Sequence, residues 1–186
     1  MKTKFKIIHK LKSITMKTKM TFLLIMIAGL LISSCEQKEQ KVEVVKIDLI
    51  NDDFPEAQQE IMETFGAIAQ SIKDGDMDKL ISFHAYGPKF TEFKDGALRN
   101  GGEDNETYER HLFGSVTEVV KFDAKDLKIA VYGDVANLTF YSDFHLKFGE
   151  DLVVVNDQIT LLFVKTNDGW KMVHEHHSPL NKKEKI

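Results

Sequence analysis

Hydrophobic positions along this chain change period once, and the change divides it into a helical and a stranded half. Ile61, Met62, Phe65, Ile68, Ala69 and Ile72 recur at helical spacing and predict one amphipathic helix. Pro55 fits its first turn, where a missing N–H costs nothing, and Gly75 ends it. Asp76 can cap a second helix with Met77, Leu80 and Ile81 turned inward, and Pro88 stops that helix. Residues 89–93 read as a short strand, followed by a turn at Lys94-Asp95-Gly96 and a polar loop over 101–105. A third helix is predicted over 106–120, carrying Tyr108, Leu112, Phe113, Val116, Val119 and Val120. After it the period becomes two. Leu127, Ile129 and Val131 alternate with polar or small residues up to a turn at Gly133-Asp134. Leu138, Phe140, Phe144, Leu146 and Phe148 then share one face of a long strand, with Tyr141, Asp143 and His145 on the other. The stretch 152–165 is apolar on both faces, with a polar interruption at Asn156-Asp157-Gln158. Asn167-Asp168-Gly169 is a strong hairpin signal before a last strand over 170–178. Helices followed by strands on tight turns predict an α+β domain, an antiparallel sheet with helices packed on one side.

Ahead of this domain lies an apolar run over residues 20–32, MTFLLIMIAGLLI, too short to span a bilayer comfortably but suited to the core of a secretory signal. Lys17 and Lys19 flank it, and Ile32-Ser33-Ser34-Cys35 follows. This order resembles the lipobox of bacterial lipoproteins, whereas a short core helix with a free thiol is the plainer alternative. The resemblance implies that Cys35 takes diacylglycerol, becomes the new N-terminus on cleavage and is then N-acylated. Several acyl chains give stable anchoring. Glu36 is not the Asp that retains lipoproteins at the inner membrane, so an outer-membrane destination is favoured. Met16 makes a more compact start for such a signal than Met1. The organisation expected is a signal peptide at 1–34, lipidated Cys35 and a tether over 35–53, and one domain over 54–180. Residues 42–50 read either as an extended lead-in or as a short edge strand. The chain's net charge of −4 includes seven lysines and no acid before Cys35, so the remainder stands at −11. Such an acidic domain has no electrostatic reason to bind nucleic acid.

Three stretches carry a wider resemblance: KDGDMDKLISFHA at 73–85, the meander over 122–166, and DGWKMVHEHHS at 168–178, with Trp170, His174, His176 and Ser178 the most specific positions. Together they resemble the nuclear transport factor 2-like superfamily, in its SnoaL-like branch. The association domain of calcium/calmodulin-dependent kinase ends on a similar strand. The resemblance implies a cone-shaped fold, a strongly curved antiparallel sheet wrapped round three N-terminal helices, with a pocket between them. It also implies a homodimer formed through the convex face of the sheet. Because the superfamily holds isomerases, dehydratases, cyclases, transport factors and oligomerisation hubs, it does not set the function.

Ketosteroid isomerase is the best-understood enzyme of this resemblance. Its carboxylate base falls on Glu92, its donor Tyr on Ile68, and its acidic donor on the apolar run Ile159-Thr160-Leu161-Leu162, with Asp157 the nearest acid. A base without oxyanion donors lacks what is usually the largest electrostatic contribution, so this isomerisation is not expected. In His174-Glu175-His176-His177, a strict period of two puts His174 and His176 on one face with Trp170 and Met172, and Glu175 and His177 on the other. Two imidazoles at i, i+2 could ligate a metal with His145 or Glu175, but hydrogen-bonded sheet positions are the better reading; no metal and no cofactor are expected. By resemblance to the kinase association domain, His177 corresponds to a basic pocket residue, while a second basic position becomes Leu161. The pocket candidates are Tyr86, Phe90, Glu92, Tyr108, Tyr141, His145, Asp157 and His177. No nucleophile elbow and no phosphate-binding glycine loop occurs. The leading expectation is an envelope lipoprotein that binds a small apolar or amphipathic ligand and dimerises, without catalysis. The alternatives are an isomerase, dehydratase or cyclase with Glu92 or His177 as general base, and a partner-binding protein with a vestigial pocket.

Overall fold

The computed structural model describes residues 46–180. The expected signal peptide, the expected lipidation at Cys35 and the expected tether up to residue 45 lie outside the described residues. Of the stretch left open as lead-in or edge strand, residues 46–50 enter a turn, where the Asp48 carboxylate accepts hydrogen bonds from the backbone of Ile50 and Asn51. No helix among the described residues is long and apolar enough to cross a membrane.

Helix α1, Pro55–Asp74, forms where the apolar stripe predicted it and buries Ile61, Ile68 and Ile72; Met62, assigned to the same stripe, faces solvent. Gly75 closes it in the left-handed region at φ 69°, a conformation glycine adopts without steric cost. Asp76 caps α2, Met77–Ser82, by accepting from the Lys79 N–H at 2.9 Å. This helix is shorter than Pro88 alone would allow. It stops because Phe83, His84 and Ala85 are drawn into bridge pairing with Met172. Strands β1, Thr91–Lys94, and β2, Ala97–Asn100, form a hairpin, the second of them unforeseen. Helix α3, Gly102–Gly114, begins and ends earlier than its periodicity suggested. The spacing of Val116, Val119 and Val120 fits a helix, but β3 starts at Glu118, where pairing with β4 decides the matter.

Five further strands follow: β3, Glu118–Tyr132; β4, Val135–Phe148; β5, Asp151–Val155; β6, Asp157–Thr166; and β7, Gly169–Pro179. The sheet order is β2-β1-β7-β6-β4-β3, with β5 also paired to β4. The β5 and β6 segments act as one strand along β4. Tyr141 faces Gln158 and Phe144 faces Val155 in unbroken register across the polar interruption at Asn156. The architecture is the expected α+β one, with helices on the inner face of a curved sheet. One detail differs from an all-antiparallel sheet: β1 runs parallel to β7. Register shifts at Val119/Lys121 and Lys125/Lys128 in β3, and at Leu162/Phe163 opposite β7, supply bends. The core lies between α1 and the inner face, built from Ile61, Leu138, Leu146, Phe163 and Trp170.

The bulge opposite Leu162/Phe163 reverses an expectation. Phe163 pairs with Met172 and Leu162 with His174, so Val173 is the extra residue. Beyond it the faces exchange. Glu175 and His177 join Trp170 and Met172 on the inner side, while His176 is exposed and His174 half-buried on the outer side.

Candidate functional site

A hollow of about 70 Å³, open on one side, lies between the helices and the inner face of the sheet. Phe65, Ile68 and Ile72 of α1 and Phe113 of α3 form its helical wall. Phe122, Phe140, Phe144, Ile159, Leu161 and Met172 form its sheet wall. Phe122 and Phe144 stack with ring centroids 3.8 Å apart, and Phe65 meets Phe140 at 5.1 Å, so the walls are largely aromatic. One end is polar: His84, Lys94, Glu109, Glu175 and His177 all line it.

Glu175 is the centre of that end. It is only 4 % exposed and accepts two hydrogen bonds, from His84 Nε2 at 2.9 Å and His177 Nε2 at 3.2 Å. His84 is held in turn by its Nδ1, 3.1 Å from the Leu80 carbonyl at the end of α2. Burial alone would raise the Glu175 carboxyl, but the bonds from His177 and His84 outweigh it and hold it well below the usual range. A buried carboxylate of this kind is stable only because both oxygens are paired.

Behind this triad lies a second polar layer. Tyr86 stacks on His84 at 4.8 Å and donates its hydroxyl to Asn105 Oδ1 at 2.6 Å. Burial first, and then the carboxylates Glu109 and Glu175, push the Tyr86 phenol far up, so it stays a donor. Lys94 is drawn down by burial, but a bond to Tyr108 and the carboxylates Glu109 and Glu92 prevail and keep its ammonium above the ordinary value. Its Nζ lies 4.8 Å from the centre of the Tyr108 ring, a cation–π distance.

Among the residues expected in the pocket, His177 lines the hollow. Tyr86 and Phe90 do not; they pack edge to face with one another and against His84, supporting the site from behind. Glu92 is fully buried outside the lining, and Tyr108 is likewise outside it, against Lys94, which lines the hollow. Asp157 is buried where β5 passes into β6, and its carboxyl is raised by that burial, with His177 and Lys94 among the charges acting on it. Tyr141 and His145 are misplaced by the expectation. Tyr141 is 39 % exposed, and His145 pairs with Asp143 beside Lys121 on the outer face of β3 and β4. The metal set does not assemble either. His174 and His176 flank the ring of Phe93 on the outer side, opposite Glu175, and no cluster of three or more candidate metal ligands occurs among the described residues. Ile68 and Leu161 both line the hollow, so the positions matched to oxyanion donors are apolar walls.

The sequence offers no sign of His84, Lys94 or Glu109 at the site, and of Glu175 only as a candidate metal ligand. The one available signal was an acid flanked by histidines on a strand of otherwise core-facing residues. The bulge that turns it inward leaves no mark in composition.

The chain matches the model of the SnoaL-like domain over residues 61–182. No curated protein is significantly similar in sequence. Solved structures of the nuclear transport factor 2-like fold superpose well. A proposed dehydratase of that family from Streptomyces avermitilis gives a TM-score of 0.61 at 20% identity, covering 68% of this chain and 99% of that one. A superfamily member from Salmonella enterica gives 0.59 at 21%, covering 70% and 96%. A proposed aromatic ring hydroxylase from Novosphingobium aromaticivorans gives 0.58 at 16%, covering 68% and 91%. At these identities the likeness is one of fold.

Proposed function

The chain belongs to the SnoaL-like domain family, and from that footing we propose that it is an envelope lipoprotein whose domain binds a small apolar or amphipathic ligand. The observation that carries this reading is the hollow itself, with aromatic and aliphatic walls and a single polar end. Small-molecule sites have this composition, a mostly apolar lining with few polar groups that orient the ligand. A volume of about 70 Å³ suits a ring or short chain end that enters from the open side. The leader pattern ending at Cys35 supports anchoring through acyl chains at the outer membrane, and the family resemblance supports a homodimer. Nothing in this reading requires turnover.

Native mass spectrometry of the full-length chain extracted from membranes tests it. The expected result is a retained small molecule that is lost in Ile68→Trp, where the indole takes up the hollow, while circular dichroism shows the fold kept. A chain that never carries a ligand, or carries it equally in the variant, overturns the proposal.

One observation favours a second reading, a SnoaL-like isomerase, dehydratase or cyclase. Glu175 orients His177 at the edge of the hollow as a carboxylate orients a catalytic imidazole, which makes His177 the better candidate base than the buried Glu92.

A further inference from the structure

The walls of the hollow suit an apolar or amphipathic ligand, and the hydrogens of the triad narrow its chemistry. The Leu80 carbonyl can only accept, so His84 Nδ1 carries a hydrogen. His84 Nε2 faces one oxygen of Glu175 and His177 Nε2 the other. A carboxylate cannot donate, so with Glu175 ionised both bonds need a hydrogen on the imidazole nitrogen. His84 then donates from Nδ1 to the Leu80 carbonyl and from Nε2 to Glu175. His177 needs only its Nε2 hydrogen. Lys94, opposite His177 in the β1–β7 register and lining the same end, already supplies a cation there. In this arrangement the hydrogen of His177 sits on Nε2 and its lone pair on Nδ1. The ring lines the hollow, and Nδ1 has no hydrogen-bond partner among the described residues.

A ligand anion without a hydrogen has nothing to give that lone pair, and at this end it would face the carboxylate of Glu175. The rest of the lining is aromatic or aliphatic. We infer that the site takes uncharged hydroxyl compounds, phenols or alcohols with an apolar ring or chain, whose O–H donates to His177 Nδ1. Glu175 and His84 are positioning residues in this scheme, acting on the ligand by fixing which nitrogen of His177 accepts. The inference rests on the ligand-binding reading of the hollow.

Phenol and toluene test it, because they have nearly the same shape and differ in one hydroxyl for one methyl. The measurement is calorimetric titration of the full-length chain in detergent, corrected by a detergent-only titration. Phenol is expected to bind about tenfold tighter than toluene, because a site built around a ligand hydroxyl discriminates against the analogue that lacks it. His177→Phe removes the acceptor and reverses that preference. Glu175→Leu removes the carboxylate that holds the His177 hydrogen on Nε2, lets that hydrogen move to Nδ1 and weakens the preference. Nitrogen-15 spectra of the His177 ring report the same change of tautomer directly, a readout that a merely structural role for Glu175 would not move. Toluene bound at least as tightly as phenol, or benzoate bound as tightly as phenol, overturns the inference and leaves the hollow as a ligand site. If neither phenol nor toluene binds, both readings fall.

Discussion

Glu175 carries more of the site than any other side chain, and its ionisation has a consequence for stability. Its carboxyl is held below the ordinary value of 4.5 by His177 and His84 against the penalty of burial. A folded value below the unfolded one means that the unfolded chain binds the extra proton first as pH falls. The stabilisation is complete above about pH 4.5 and is lost as pH drops below it through the folded value. Other charged groups around the same polar end are Lys94 of β1 and Glu109 of α3, with Tyr86 behind His84. On the outer face Asp143, held down by Lys121 and Lys125, adds acid sensitivity of its own, which a comparison of variant with wild type cancels. Urea unfolding followed from pH 7 to pH 3 is expected to show wild type losing stability more steeply than Glu175→Gln. Glu175→Ala, which leaves two imidazoles without their shared acceptor, is expected to cost about 3 kcal/mol at pH 7. At this scale His177 was legible as a pocket residue through the resemblance to the kinase association domain, and it lines the hollow. His84 was not, since a lone histidine after a short helix carries no sign of a partner 91 positions away.

Elements decide which residues meet, and here their boundaries were the least legible feature. The stripe of α1 and the alternation of β4 follow directly from apolar spacing, and both form at the expected positions except that Met62 faces solvent. By contrast, β2 is four residues long, and the start of β3 overlaps a run whose valines satisfy either period. The bulge at Val173 had the largest effect, because one extra residue exchanged the faces of the whole HEHH segment. The early start of α3 also has a physical signature in Gly102. A Cβ built there would lie 2.4 Å from Tyr86 Cβ and 2.7 Å from Tyr86 Cα, closer than atoms can approach. The helix end can therefore sit on the Tyr86 segment only with glycine at this position. Gly102→Ala is expected to destabilise the domain by about 2 kcal/mol in chemical denaturation, as overpacking of a fixed backbone does. Because the same displacement pulls Asn105 from Tyr86, which stacks on His84, it should also weaken ligand binding more than the stability loss alone explains.

For the molecule as a whole, the anchor and the pairing are linked proposals. On the outer side of the sheet Tyr141 is exposed, and Leu152 and Val154 of β5 are exposed beside Lys147 and His145 of β4. These apolar side chains are neighbours on β4 and β5, where a second copy would gain from burying them together. Two copies tethered at Cys35 to one membrane meet at a far higher effective concentration than two free in solution. Loss of the anchor and loss of the contact therefore weaken pairing for different reasons and can be told apart. Val154→Lys is expected to abolish crosslinking between copies in membranes and to leave the chain in the detergent phase on partitioning. Cys35→Ser is expected to move the chain out of the detergent phase and to lower crosslinking, which then recovers as protein concentration is raised. A Val154→Lys chain that crosslinks as wild type does would place the contact elsewhere on the surface. A Cys35→Ser chain that stays membrane-bound would remove the acyl anchor from the proposal while leaving the hollow and its triad untouched.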